Sequence, residues 1–201
     1  MDLWRNLVTG CKFLNDLIHF SFDVDTSIFF VHFNSYILNN LPACIQLQTY
    51  YDPMLFIGTA KQAENEKLYE KLQIGSCINL SQNKRINYPA GLNRLDIDIP
   101  DETNSNLFEH FTKTTEFLQK AIQSGTGNCF VFCQMGISRS SSVVLAYLIA
   151  DKKLTLKSAF DLLKSCRPII RPNFGFLKQL KQWEAQHIGS SSDLDEIYDL
   201  Y

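Results

Sequence analysis

The chain has 201 residues, 19 of them basic and 21 acidic, with a net charge of −2 at pH 7. That length suits one domain with an ample core, and basic residues scattered without a stripe argue against a nucleic-acid partner. No apolar run approaches the roughly 20 residues that span a bilayer, no secretory leader pattern opens the chain, and Asp2 stands where N-myristoylation needs glycine.

Leu3, Trp4, Leu7, Cys11, Leu14, Leu17 and Ile18 recur at spacings of three and four, which predicts an amphipathic helix weakened by Gly10. Residues 22–51 are rich in Phe, Tyr and β-branched residues without punctuation before Pro42. Residues 1–51 therefore read as an N-terminal extension, helical and then irregular or strand-like. Leu55-Phe56-Ile57 before Gly58 reads as a short strand, and 60–73 as a helix stopped near Gly75. A second strand spans 76–80, and 95–99 alternates like a third. Residues 107–122 carry apolar positions at helical spacing until Gly125 and Gly127 break them. Cys129-Phe130-Val131-Phe132 reads as a buried strand, 140–150 as an apolar-rich helix, and three helical segments close the domain, the last over 174–186. Strands alternating with helices predict an α/β domain over 52–188, with a central, mostly parallel sheet of four to five strands flanked by helices. Its ligand belongs at the carboxyl ends of the strands. Residues 189–201, with Asp193, Asp195, Glu196 and Asp199 around Tyr198 and Tyr201, read as an acidic disordered tail.

The most informative stretch is Cys133-Gln134-Met135-Gly136-Ile137-Ser138-Arg139. It joins the last strand to the 140–150 helix. Strand, tight loop and helix start together aim successive backbone N–H groups at one anion. A cysteine at the strand end sits on the floor of that cradle, where a helix N-terminus and the Arg139 guanidinium lower a thiol's pKa. Gly136 stands where the backbone turns tightly, and Ser138 and Ser140 supply hydroxyls. A thiolate beneath a bound phosphate, with an arginine fork beside it, is a phosphoryl-transfer site. The bland alternative is a small core cysteine and an arginine paired at a helix start.

Cys133 to Ser140 resembles the signature of the cysteine-dependent protein phosphatases, His-Cys-x-x-Gly-x-x-Arg-Ser/Thr. Ala146-Tyr147-Leu148-Ile149, Arg167-Pro168 and Pro172-Asn173-Phe174-Gly175-Phe176 are similar to its dual-specificity branch, and there to the small atypical members that lack a kinase-docking domain. The resemblance runs from about Asp52 to about His187. Low-molecular-weight tyrosine phosphatases carry such a loop near the N-terminus, and rhodanese-type sulfurtransferases carry it near the end of the domain. Here the loop lies past the middle, with helical segments after it.

The resemblance implies hydrolysis of phosphotyrosine and of phosphoserine or phosphothreonine in proteins, through a phosphocysteine, with no metal or cofactor. Cys133 would be the nucleophile. Arg139 and the amides of Gln134, Met135, Gly136, Ile137, Ser138 and Arg139 would hold the phosphoryl oxygens. Ser140 would donate to the thiolate as it departs. Asn173 would brace the loop, or else cap the last helix. The leaving oxygen also needs a proton. The family's acid sits on a loop some thirty residues before the cysteine, and Asp101, in Pro100-Asp101-Glu102-Thr103-Asn104, lies 32 residues upstream. Glu102 is a surrogate, Asp96 and Asp98 are rivals within the alternating segment, and helix capping is the alternative role for Asp101.

One position departs from the family. Phe132 stands where the signature has histidine. It supplies no hydrogen bond to shape the loop, and an apolar neighbour disfavours a thiolate. A weaker nucleophile near neutral pH is expected. A second functional class therefore stands beside the phosphatase: a weakly active or inactive relative that binds phosphoproteins as a scaffold.

The loop interior has no lysine, which favours protein substrates over phosphoinositides, and Met135 and Ile137 offer an apolar rim. His19, His32, His110 and His187 show no metal-ligand spacing. Six cysteines without an export signal read as reduced thiols, so the expected compartment is the cytoplasm, with the nucleus as an addition. Cys129, on the strand of Cys133, reads as core packing ahead of a redox partner.

Overall fold

A computed structural model describes residues 18–23, 28–33, 54–83, 85–189 and 191–198. Its strands are β1 (Ile18–Asp23), β2 (Ile28–Phe33), β3 (Leu55–Thr59), β4 (Ile74–Asn79), β5 (Asn93–Asp96) and β6 (Asn128–Cys133). They form one sheet in the order β1-β2-β3-β6-β4-β5. The last four in that order run parallel, and β2 and then β1 join antiparallel beside β3. The expected α/β architecture with a mostly parallel sheet is present. The sheet is wider than expected because the segment read as an extension contributes two strands. Ile18, placed by periodicity at a helix end, opens β1 instead. The rest of that expected helix lies outside the described residues.

The helices are α1 (Ala60–Ala63), α2 (Glu66–Lys71), α3 (Phe108–Ser124), α4 (Arg139–Lys152), α5 (Leu156–Cys166), α6 (Phe174–Ile188) and α7 (Leu194–Tyr198). The helix expected over 60–73 is two short ones. Asn65 takes an extended conformation (φ −87, ψ 100) and restarts the chain as α2, whose end turns at Gln73 (φ 49) before Gly75 is reached.

Strand alternation decides which side of the sheet each β6 residue faces. Cys129, Val131 and Cys133 enter the larger core, beneath α3 to α6. Phe130 and Phe132 enter a smaller core with Phe56, Leu68 and Tyr69, on the side of α1 and α2. Covering both faces is why β6 reads as an unbroken apolar run. Residues 139–149 of α4 are all buried, as suits a helix wrapped on every side.

The described residues of the tail, 191–198, are docked on the domain. Ile197, on α7, is fully buried in the larger core. Ser192 donates from its backbone N–H to Glu184 Oε2 at 2.7 Å and from its hydroxyl to Oε1 at 2.8 Å. The fully buried Glu184 carboxylate also accepts from Leu156 N at the start of α5. Acidic side chains at 193, 195 and 196 hid one apolar anchor, which is enough to dock the turn. Among the described residues no helix is long and apolar enough to cross a membrane.

Candidate active site

Cys133 ends β6 and Arg139 opens α4, so the five residues between them must reverse the chain within one tight loop. Gly136 makes the reversal with φ +65, and a Cβ there would stand 2.5 Å from Gly58 O and 2.9 Å from Arg167 Nη2. Only glycine fits that approach.

The carbonyls of the loop are held from outside. Gln134 O accepts from Ala60 N at 3.4 Å, Ile137 O from Arg171 N at 2.9 Å, and Ser138 O from Ser142 N at 2.9 Å. Arg167 Nε donates to Gly136 O at 2.8 Å, and its Nη2 donates to Met135 O at 3.3 Å. The N–H groups of residues 135–138 donate to no acceptor among the described residues. Ser138, at the start of α4, makes no side-chain cap bond to the helix. Unpaired amides at a helix start are the physical requirement for holding an anion.

Cys133 is buried with its Sγ 3.2 Å from Ser140 Oγ. Arg139 is buried and anchored through Nη1 to Leu80 O at 2.8 Å and Ile99 O at 3.2 Å. Its Nε lies 3.4 Å from Asp101 Oδ2, within ion-pair range. That N–H is not aligned on the carboxylate, so a buried donor is left without a hydrogen-bond acceptor. Such a donor is costly unless a ligand takes it.

Asp101 overhangs the loop and is one-third exposed, at 31%. Its Oδ1 accepts from Ser138 Oγ at 2.6 Å and from Asn173 Nδ2 at 2.9 Å. It caps no helix, since α3 begins later, at Phe108, behind Leu107. Asn173 is bonded both to α6 and to the residues around the loop. Its Oδ1 accepts from Phe176 N at 3.0 Å and caps α6, while its Nδ2 holds Asp101 and its N–H donates to Ser138 Oγ at 3.0 Å. The rivals lie elsewhere: Asp96 accepts from Asn79 Nδ2 and pairs with Arg94, and Asp98 accepts from Gln82 Nε2. Glu102 is exposed. The strand over 95–99 is shorter than expected, yet the alternation persists, with Ile97 and Ile99 buried and Asp96 and Asp98 exposed.

Within the loop, Gln134 and Met135 are exposed, Gly136 and Ser138 are buried and Ile137 is half-buried. Phe132 faces the smaller core, its ring 5.1 Å from that of Phe130, so it does not surround the Cys133 sulfur. Its reach to the site is through the backbone. Cys129 shares the Cys133 face but lies four residues away, about 13 Å along a strand, beyond disulfide reach. Burial pushes the thiols of Cys77, Cys129 and Cys166 up to about 12.

Arg167 is the residue whose role the sequence did not reveal. Burial lowers its pKa from the usual arginine value, partly offset by the nearby Cys133 sulfur. Its matched Arg167-Pro168 dipeptide carries no local signal for a partner 31 residues away.

Residues 55–186 match the family model described as the catalytic domain of dual specificity phosphatases. Human dual specificity phosphatase 28 is 34% identical over 132 residues, covering 66% of this chain and 74% of that protein. Dual specificity protein phosphatase 1-A of Xenopus laevis is 34% identical over 139 residues, covering 69% of this chain. The match spans 37% of that relative's own length. The crystal structure of human dual specificity phosphatase 28 superposes with a TM-score of 0.62 at 32% identity, over 66% of this chain and 88% of that one.

Proposed function

Because the chain belongs to the dual-specificity phosphatase family, we propose that it hydrolyses phosphotyrosine and phosphoserine or phosphothreonine in proteins, through a phosphocysteine at Cys133. The observation that carries this reading is the buried Arg139 Nε without an acceptor, set beside a loop whose carbonyls are tied outward.

In the first step the Cys133 thiolate attacks phosphorus, forming the S–P bond as the P–O bond to the substrate breaks. The Arg139 Nε and the loop amides take the phosphoryl oxygens. Arg139 thereby changes partner, from Asp101 Oδ2 to phosphate. Protonated Asp101 gives its proton to the leaving oxygen. In the second step Asp101, now a carboxylate, takes a proton from water as the water oxygen attacks phosphorus. The S–P bond breaks, inorganic phosphate leaves, and Ser140 Oγ donates to the restored thiolate. Asn173 and Ser138 hold Asp101 over the loop throughout. Phe132 in place of histidine makes slow turnover the expectation. The cytoplasm, with the nucleus as an addition, is the proposed compartment, on the ground that the free cysteines suit a reducing one.

Turnover of a small aryl phosphate from acidic to mildly alkaline pH tests the reading. Wild-type protein is expected to turn over and Cys133→Ser to be inert. Wild type no faster than Cys133→Ser would leave only the scaffold reading.

A further inference from the structure

Large apolar side chains with high exposure are few among the described residues: Met135 at 60%, Ile169 at 54% and Phe174 at 45%. All three stand on segments bonded to the Cys133 loop. Met135 is within it. Ile169 lies in the turn between Arg167, which holds the carbonyls of Met135 and Gly136, and Arg171, whose N–H holds Ile137 O. Phe174 follows Asn173, which is bonded to both Ser138 and Asp101. Ile137, in the same loop as Met135, is half-buried. Exposed apolar side chains ringing a functional cleft mark a contact site, and these three stand on segments bonded to the phosphate cradle.

We propose that Met135, Ile169 and Phe174 form a collar that selects phosphoprotein segments carrying a large apolar side chain next to the phosphorylated residue. The inference rests on the phosphatase reading above and names its substrate class. A phosphate group held by Arg139 sets the depth of the substrate, and residues flanking it must then cross the collar. Leu, Ile, Phe or Met there buries apolar surface on both partners, while Glu or Asp leaves it wet. Lys178 Nζ sits 4.1 Å from the centre of the Phe174 ring. Three apolar residues spread around a cradle suit an extended peptide better than a membrane, which asks for one continuous apolar face flanked by a basic one.

The test is steady-state kinetics of the full chain on matched phosphopeptides with Leu or Glu flanking the phosphorylated residue, beside a small aryl phosphate that does not reach the collar. The expected result is a roughly tenfold higher kcat/KM for the Leu-flanked peptide, carried by KM. Ile169→Ser and Phe174→Ser are expected to bring that ratio near unity while leaving aryl phosphate turnover within about twofold. Equal kcat/KM for the two wild-type peptides, or a preference that survives both variants, overturns the collar. Should aryl phosphate turnover fail, equilibrium binding of the same peptides to the wild-type protein still reads the preference, so failure of the chemistry is distinguished from failure of the collar. Co-sedimentation with anionic phosphatidylserine vesicles that Phe174→Ser abolishes, without any peptide preference, assigns the patch to a lipid surface and also overturns it.

Discussion

Phe132 occupies the position for which the sequence resemblance implies histidine, and the structure places its side chain away from the sulfur. The ring lies in the smaller core against Phe130, on the face of β6 opposite to Cys133. Its carbonyl accepts from Leu80 N at 2.8 Å, and Leu80 O in turn anchors Arg139. A side chain at this position therefore reaches the loop through the main chain and does not surround the sulfur. Phe132→His is expected to raise kcat on an aryl phosphate several-fold near neutral pH. It is also expected to lower stability by about 1–3 kcal/mol, because a polar ring enters an apolar cluster. Parallel kinetics and denaturant melts check both halves. An unchanged kcat in a folded variant would show that histidine's absence does not limit this site.

At the level of elements, Asp101, the proposed acid, is positioned by the start of α6. Gly175 has no side chain there because a Cβ would come within 2.6 Å of the Thr103 carbonyl carbon. The helix thus presses on the loop that carries Asp101, while Asn173 grips the carboxylate itself. Gly175→Ala is expected to push residues 101–104 away from the Cys133 loop and to lower kcat by about 10- to 100-fold with little change in KM. Full kcat in that variant would mean that Asp101 is not held by this contact. The contiguous part of the site was legible in the sequence, because seven neighbouring residues carry cysteine, glycine, serine and arginine in one strand-loop-helix context. The long-range part was not. Nothing local to Arg167 announces two loop carbonyls, and nothing local to Gly58 announces that Gly136 will turn against it. The break between α1 and α2 was missed because apolar spacing continues across Asn65, where the backbone leaves the helix.

Across the whole molecule, two strands and a docked tail widen what the sequence read as a core domain with loose ends. The tail was misread because charge dominates its composition, whereas Ile197 and the Ser192–Glu184 bonds decide its placement. The buried thiols also give the fold a pH signature. Cys77, Cys129 and Cys166 ionise near 12 when folded and near 8.5 in an unfolded chain. Between those values the unfolded chain has released protons that the folded one keeps, so stability is intact below the lower value and falls as pH rises through the window. The loss is about 1 kcal/mol per thiol per pH unit. Thermal melts from neutral pH to pH 11 are expected to show it, and a flat profile would contradict the burial of these groups. The account's central claim is that Cys133 carries the phosphoryl group, and acid-quenched protein caught during aryl phosphate turnover tests it most directly. Peptide mapping by mass spectrometry should find one phosphoryl group on the peptide holding Cys133 and none on Cys133→Ser. Turnover with that peptide unmodified, and with Cys133→Ser as active as wild type, would contradict it.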